Sequence, residues 1–365
     1  MDREQAIRLM QDLLRRMVDR KGSDLFITAG FPPAIKIDGE VRPQTDKVLA
    51  PEQSAVLVRS IMNDRQTREF DATKEANFAI APPGIGRFRV SAFVQQGHTG
   101  CVIRQINATI PTIEELELPP ILKDIVMSKR GIVIVVGATG SGKSTSLAAM
   151  VGYRNEKTRG HIVTIEDPVE YVHAHRGCVV THREVGVDTD SWHTALKNTL
   201  RQAPDVIMIG EIRDRETAQS AVQASLTGHL VLATLHTNDS VSAVTRLLDM
   251  GIEPFLLSSS LLGALAQRLL RKLCAECRRQ DAQGQWQPVG CPACGQTGYS
   301  GRTGVYELLA LDDTLREAIH TGQGDRALRA LARERGFRSM AEDGERWLAD
   351  GTTSAAELAR VTRES

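Results

Sequence analysis

Between Gly131 and Leu235 the chain sets down short, nearly continuous apolar runs separated by helical segments. Ile132–Val136, His161–Ile165, Val206–Ile209 and Leu230–Leu235 are rich in β-branched residues. Runs of that kind, spaced by helices, predict a parallel sheet covered on both faces. Ligands of such sheets bind outside the carboxyl ends of the strands. The first hundred residues follow another rhythm. Asp24–Thr28, Ala34–Ile37, Phe88–Phe93 and Gly100–Ile106 are short strands bounded by turn residues, and Asp38-Gly39 predicts a hairpin turn toward Val41. Ahead of them, Ile7, Met10, Leu14, Met17 and Val18 recur at helical spacing, which predicts a helix packed on its own domain. Asn107-Ala-Thr-Ile-Pro111 is turn-rich and suits a linker, and Thr112-Ile-Glu-Glu115 predicts an acidic helix start. The longest apolar helix candidate is Phe255 to Leu270. It is interrupted by Ser258, Ser259, Ser260, Gln267 and Arg268, short of the roughly 18 apolar residues that a membrane span needs.

Composition changes this picture only by exclusion. A chain of 365 residues suits two domains rather than one core. Lys+Arg and Asp+Glu both number 45, so no net charge draws the protein onto nucleic acid or anionic lipid. The N-terminus carries none of the features of a secretory leader, and the expected location is cytoplasmic. Cys101 and Cys178 lie inside apolar segments and are expected to be inert core thiols.

The chemistry sits at strand ends. Gly137, Ala138, Thr139, Gly140, Ser141, Gly142, Lys143, Ser144 and Thr145 follow one strand and open a helix, the context that a P-loop requires. Its backbone N–H groups would face phosphate oxygens at a helix N-terminus, Lys143 would reach the β- and γ-phosphates, and Ser144 would offer a hydroxyl to Mg²⁺. A second strand, Val206-Ile-Met-Ile-Gly-Glu211, ends in a carboxylate able to hold Mg²⁺ directly or through water. A third ends in Glu166-Asp167-Pro168, where one carboxylate can polarise an attacking water and the other can assist the metal or the fold. Cys274-Ala-Glu-Cys277 and Cys291-Pro-Ala-Cys294 are two CxxC pairs separated by thirteen residues, the spacing of a closed structural Zn²⁺ site. A redox pair or four unrelated thiols would not account for two matched pairs in a Gly-rich stretch.

Together these blocks resemble the secretion ATPase superfamily of type IV pilus and type II secretion motors. The resemblance rests on Gly137–Thr145 as Walker A, Thr164–Glu170 as the Asp box, Pro204–Asp214 as Walker B and Thr227–Asn238 as the His box. From about Gly22 to Arg213 the chain is most similar to retraction-type pilus motors. From about Glu216 onward, through the Cys quartet and Gly298–Glu307, it is similar to the assembly and type II secretion motors.

The resemblance implies an α/β fold with a PAS-like α+β domain at residues 1–106 and a linker or hinge at 107–112. A RecA-like P-loop domain would follow at 113–365, with a tetracysteine insert at 273–299 and a helical region at 310–365. It implies Glu166 as general base, Glu211 as the metal-site carboxylate beside Asp167, and His229 and His236 as sensing histidines. It also implies that Arg87, Arg89 and Arg104 are lent to the nucleotide; the residues alone allow strand arginines that face water. The expected protein is therefore a hexameric ATPase using ATP, Mg²⁺ and structural Zn²⁺. A retraction motor is favoured over an assembly or secretion motor, a non-hydrolysing accessory subunit or a nucleic-acid translocase. Its partners would be five further copies, an inner-membrane platform protein and a paralogous motor, with no nucleic acid.

Overall fold

A computed structural model describes residues 2–37, 40–106 and 109–363. The chain divides into two compact units, Met1–Thr109 with Pro168–Val172, and Ile110–Asp167 with His173–Ser365.

In the first unit, helix α1 (Arg3–Asp19) begins at a reciprocal capping box between Asp2 and Gln5, two side chains that each accept from the other's backbone N–H. Strands β1 (Asp24–Ile27), β2 (Ala34–Ile37) and β3 (Glu40–Pro43) follow, then helices α2 (Pro51–Ser60) and α3 (Asp64–Thr73), then β4 (Glu75–Ile80), β5 (Arg87–Gln95) and β6 (His98–Ile106). They form an antiparallel sheet in the order β3-β2-β1-β6-β5-β4. The alternation is strict where it matters. Phe88, Val90 and Ala92 point into a core shared with Met10, Leu14 and Met17 of α1, whereas Arg87, Arg89 and Ser91 lie on the opposite face. The N-terminal helix therefore packs on its own unit, as its spacing predicts. Asp38-Gly39, and Asn107 and Ala108 of the expected linker, lie outside the described residues.

The second unit opens with α4 (Leu122–Val126), β7 (Gly131–Val136), α5 (Lys143–Lys157), β8 (Gly160–Glu166) and β9 (Cys178–Glu184). It continues through α6 (Trp192–Thr199), β10 (Val206–Ile209), α7 (Arg215–Leu226), β11 (Leu230–Leu235), α8 (Ser240–Asp249) and α9 (Pro254–Ser260). The long strand β12 (Leu261–Leu273) precedes the two-residue pair β13 (Arg279–Gln280) and β14 (Trp286–Gln287). Strand β15 (Tyr299–Ala310) and helices α10 (Asp313–His320), α11 (Asp325–Glu334), α12 (Met340–Ala349) and α13 (Ala355–Thr362) complete it. The main sheet runs β15-β12-β7-β11-β10-β8-β9; all neighbours are parallel except the edge strand β15, which is antiparallel to β12. The apolar run of β7 feeds two cores at once. Ile132, Ile134 and Val136 enter one, while Val133 and Val135 enter the other with Leu147 and Val151 of α5. A strand buried on both faces has no polar side to show, so the absence of alternation is its signature.

Two expectations are corrected. Phe255–Leu270 is not one helix: α9 ends at Ser260 and the chain continues as β12. Apolar content on both faces of β12 looks the same as that of a buried helix, and only the sheet decides between them. Thr112–Glu115 keeps its reciprocal bonds, Thr112 N–H to Glu115 Oε2 at 2.8 Å and Glu115 N–H to Thr112 Oγ1 at 3.1 Å, yet closes a turn rather than starting a helix. Pro119-Pro120 stands too soon after it for helical hydrogen bonds to propagate.

Gly263 tests the strand assignment. A Cβ there would lie 2.9 Å from the carbonyl oxygen of Leu309 on β15. Gly263→Ala should force the β12–β15 backbones apart and cost about 1–3 kcal/mol, read as a lower urea midpoint. An unchanged midpoint would contradict this packing.

Candidate active site

Strand β7 delivers the chain to a turn that only a bare backbone can make. At Gly137, φ is +147° and a Cβ would meet the carbonyl oxygen of Gln267 and Oγ of Ser141, both at 2.6 Å. At Gly142, φ is +90° and the chain enters α5. The Nε2 of Gln267, on β12, donates to the Ser141 carbonyl at 2.7 Å and so props the loop from beneath. Lys143 folds back over the loop, its Nζ donating to the carbonyls of Gly137 at 2.8 Å and Ala138 at 3.0 Å. Burial lowers the Lys143 pKa; Glu211 pulls it back up, and Arg268 adds to the lowering. Ser144 is exposed at the helix N-terminus. This site opens into a cavity of about 380 Å³ that Ala138, Thr139, Gly140 and Ser141 line. A larger cavity of about 650 Å³ lies between residues 113–123 and the C-terminal helices of the same unit. It contains no P-loop residue, so size alone does not mark the reactive site.

Glu211 follows β10 through Gly210, whose carbonyl accepts from Thr234 Oγ1 at 2.6 Å. Its Oε1 lies 3.0 Å from Nε2 of His236, and its Oε2 accepts from Nε of Arg213 at 2.7 Å. Glu166 is the last residue of β8 and is 5% exposed, while Asp167 beside it is exposed. Behind Glu166 sits His182, which the sequence reading did not single out. Its Nε2 accepts from the backbone N–H of His173 at 3.0 Å. Its Nδ1 lies 2.8 Å from Thr164 Oγ1. The same Nδ1 stands 3.8 Å from Glu166 Oε1. His173 stacks on this ring, and burial, helped by His182, pushes its pKa down to about 4. Only the fold reveals this cluster, because β8 and β9 pair side by side.

The expected residues divide. The P-loop, Glu166, Glu211 and His236 all sit at the carboxyl edge of parallel strands. His229 does not. It precedes β11, its carbonyl accepts from Gly131 N–H at the start of β7, and its Nδ1 lies 2.9 Å from the Ala224 carbonyl. Six residues of strand, about 20 Å, separate that edge from the P-loop edge. The two expected sensing histidines thus flank β11 at its two ends, and of the pair only His236 stands at the P-loop edge of its own sheet.

The three arginines are engaged within the first unit. Arg87 Nε donates to the Val169 carbonyl at 3.1 Å, and Arg89 is ion-paired with Glu170. Arg104 Nε lies 2.8 Å from Oδ1 of Asp24, its cross-strand neighbour, whose side chain is only 8% exposed and also accepts from Ser23 Oγ at 2.8 Å.

The four cysteines form one cluster, with sulfurs within 4.8 Å of one another. The N–H of Gly290 points at Cys277 Sγ at 3.3 Å, and those of Cys291 and Gly298 point at Cys294 Sγ at 3.3 and 3.2 Å. Burial opposes a charge on Cys294, yet these backbone donors hold its thiol at about 6. A backbone bond lowers Cys291, but burial and the three facing thiols outweigh it and push this thiol up to about 11. Cys101, by contrast, is pushed up to about 12 by burial alone, as an inert core thiol should be.

The model of the type II/IV secretion system protein family matches residues 1–360. The chain belongs to that family. It is accordingly an ATPase of that family. The chain is 60% identical over 238 residues to the type IV pilus ATPase PilU of Pseudomonas aeruginosa, a match covering 65% of this chain and 62% of that protein. It is 45% identical to the type II secretion system protein HxcR of the same organism over 99% of this chain and 78% of HxcR. Its fold superposes on the crystal structure of the pilus retraction motor PilT with bound ADP at a TM-score of 0.84 and 32% identity, covering 96% of each chain. No described helix is long and apolar enough to cross a membrane.

The Asp24 pair separates support from chemistry. Arg104→Met should leave a buried carboxylate short of one partner and cost about 1 kcal/mol in a urea titration, modest because Arg104 itself is 68% exposed. Stability equal to the parent would show that the pair contributes nothing.

Proposed function

We propose that the chain is a Mg²⁺-dependent ATP hydrolase that works as a retraction-type motor of type IV pili. The observation that supports hydrolysis best is the meeting of the P-loop, Glu211 with His236, and buried Glu166 along one edge of the parallel sheet. In this reading the loop N–H groups, Lys143 and Ser144 hold the phosphates and the metal ion, with Glu211 as the metal-site carboxylate. A bound Mg²⁺ would supply charge neutralisation at the phosphates, Glu166 would take the proton of the attacking water, and His236 orients Glu211. The 60% identity to a protein described as a type IV pilus ATPase favours the pilus, and the likeness to PilT favours retraction. The second reading, an assembly or type II secretion motor, is favoured by the HxcR match across nearly the whole chain and by the cysteine cluster. A platform protein at the inner membrane and a ring of six copies belong to both readings.

Turnover tests the chemistry. Lys143→Ala should abolish nucleotide binding. Glu166→Gln should bind ATP normally and lose about 10²–10⁴-fold in kcat, the usual contribution of a general base. Near-parental turnover by Glu166→Gln would remove it from that role. Expression in strains lacking either the retraction or the assembly motor, with surface pili scored, decides the direction.

We also propose that the four thiolates hold one structural Zn²⁺. The N–H groups aimed at Cys277 and Cys294 are the donors that such thiolates need. Freshly reduced protein should contain about one zinc per chain, and Cys274→Ser should lose it while nucleotide binding persists. Metal analysis that finds no zinc in the parent would refute the site.

A further inference from the structure

The cavity beside the P-loop contains a cation that the motifs leave out. Arg268 projects from β12 immediately after Gln267, the residue that props the loop. It is 9% exposed, and its Nη1 has no hydrogen-bond partner among the described residues. Its Nη2 rests loosely against Asn238, 3.4 Å from both the carbonyl and the side-chain oxygen. Two other arginines of the same cavity, Arg271 and Arg360, are committed to the buried carboxylate of Glu357 at 2.7 and 2.8 Å. A buried guanidinium with an idle donor is costly, and a fold keeps one where an anion repays the desolvation. Arg268 stands close enough to Lys143 to help lower the lysine's pKa, so two cations share this corner of the site. A fork of N–H donors matches phosphate oxygens better than any other side chain.

We propose that Arg268 is a phosphate ligand of the bound nucleotide, offering its idle Nη1 to a polyphosphate oxygen in the P-loop cavity. This inference rests on the P-loop reading above. It also gives Asn238 a purpose: the loop that begins at His236 is tied to the phosphate site through the second nitrogen of the same guanidinium. The sequence reading passed over Arg268 because the residue interrupts an apolar run there, which argues against a membrane helix and says nothing of which wall it lines.

Competition against a fluorescent ATP analogue on the full chain provides the test, with inorganic tripolyphosphate and adenosine as the two probes. A lost charge-assisted hydrogen bond typically weakens binding about tenfold or more. Arg268→Gln should therefore weaken tripolyphosphate at least tenfold while adenosine competes within twofold of the parent and the unfolding midpoint without nucleotide is unchanged. Tripolyphosphate affinity within twofold of the parent overturns the proposal. So does a parallel loss of both probes together with a lowered midpoint, which marks Arg268 as a structural prop. If Arg268→Gln does not fold, Arg268→Lys keeps the stem and the charge without the fork and should still lose threefold or more on tripolyphosphate; parental affinity there also overturns the proposal. Lys143→Ala separates the two levels. Its loss of ATP binding beside a normal Arg268→Gln would sink only the arginine, whereas normal binding by Lys143→Ala would sink the phosphate site itself.

Discussion

Everything at the reactive edge depends on how closely β12 approaches the P-loop. The carbonyl of Gln267 occupies the place where a side chain on Gly137 would be, and the Gln267 amide carries the Ser141 carbonyl. The loop is therefore fixed from outside as well as by its own turn. The geometry also explains why β12 has to be a strand. A helix would carry Gln267 and Arg268 to places separated by about 100° around an axis. A strand sends them to opposite faces of one edge, one under the loop and one beside the cavity.

How far this was legible in the residues follows from the same geometry. The P-loop was visible because its chemistry is local: each glycine, the lysine and the serine act within nine positions of one another. The parallel strands were visible because double burial leaves a continuous apolar run, and β7 divides its side chains between two cores as such a run must. The cysteines were visible because a knuckle needs two residues between its ligands. What could not be read is whatever depends on sheet order. Pairing of β8 with β9 brings His182 to Glu166, and pairing of β12 with β7 brings Arg268 to Lys143. Neither spacing carries a signal along the chain. His229 and His236 meet the same limit from the other side. Two histidines close in sequence invite a shared role, yet an extended strand between them sends each to a different edge.

The two candidate carboxylates show how surroundings divide labour between residues of one type. Glu211 has each oxygen engaged by a nitrogen donor, His236 on one side and Arg213 on the other, and is held in one orientation at the mouth of the site. Fixed direction suits a group that must present a lone pair to a metal ion. Glu166 is enclosed instead, at the end of a buried strand, with His182 behind it. Two carboxylates at one sheet edge therefore meet different surroundings: one is pinned at the rim by His236 and Arg213, and the other is closed in at a strand end beside the stacked rings of His182 and His173.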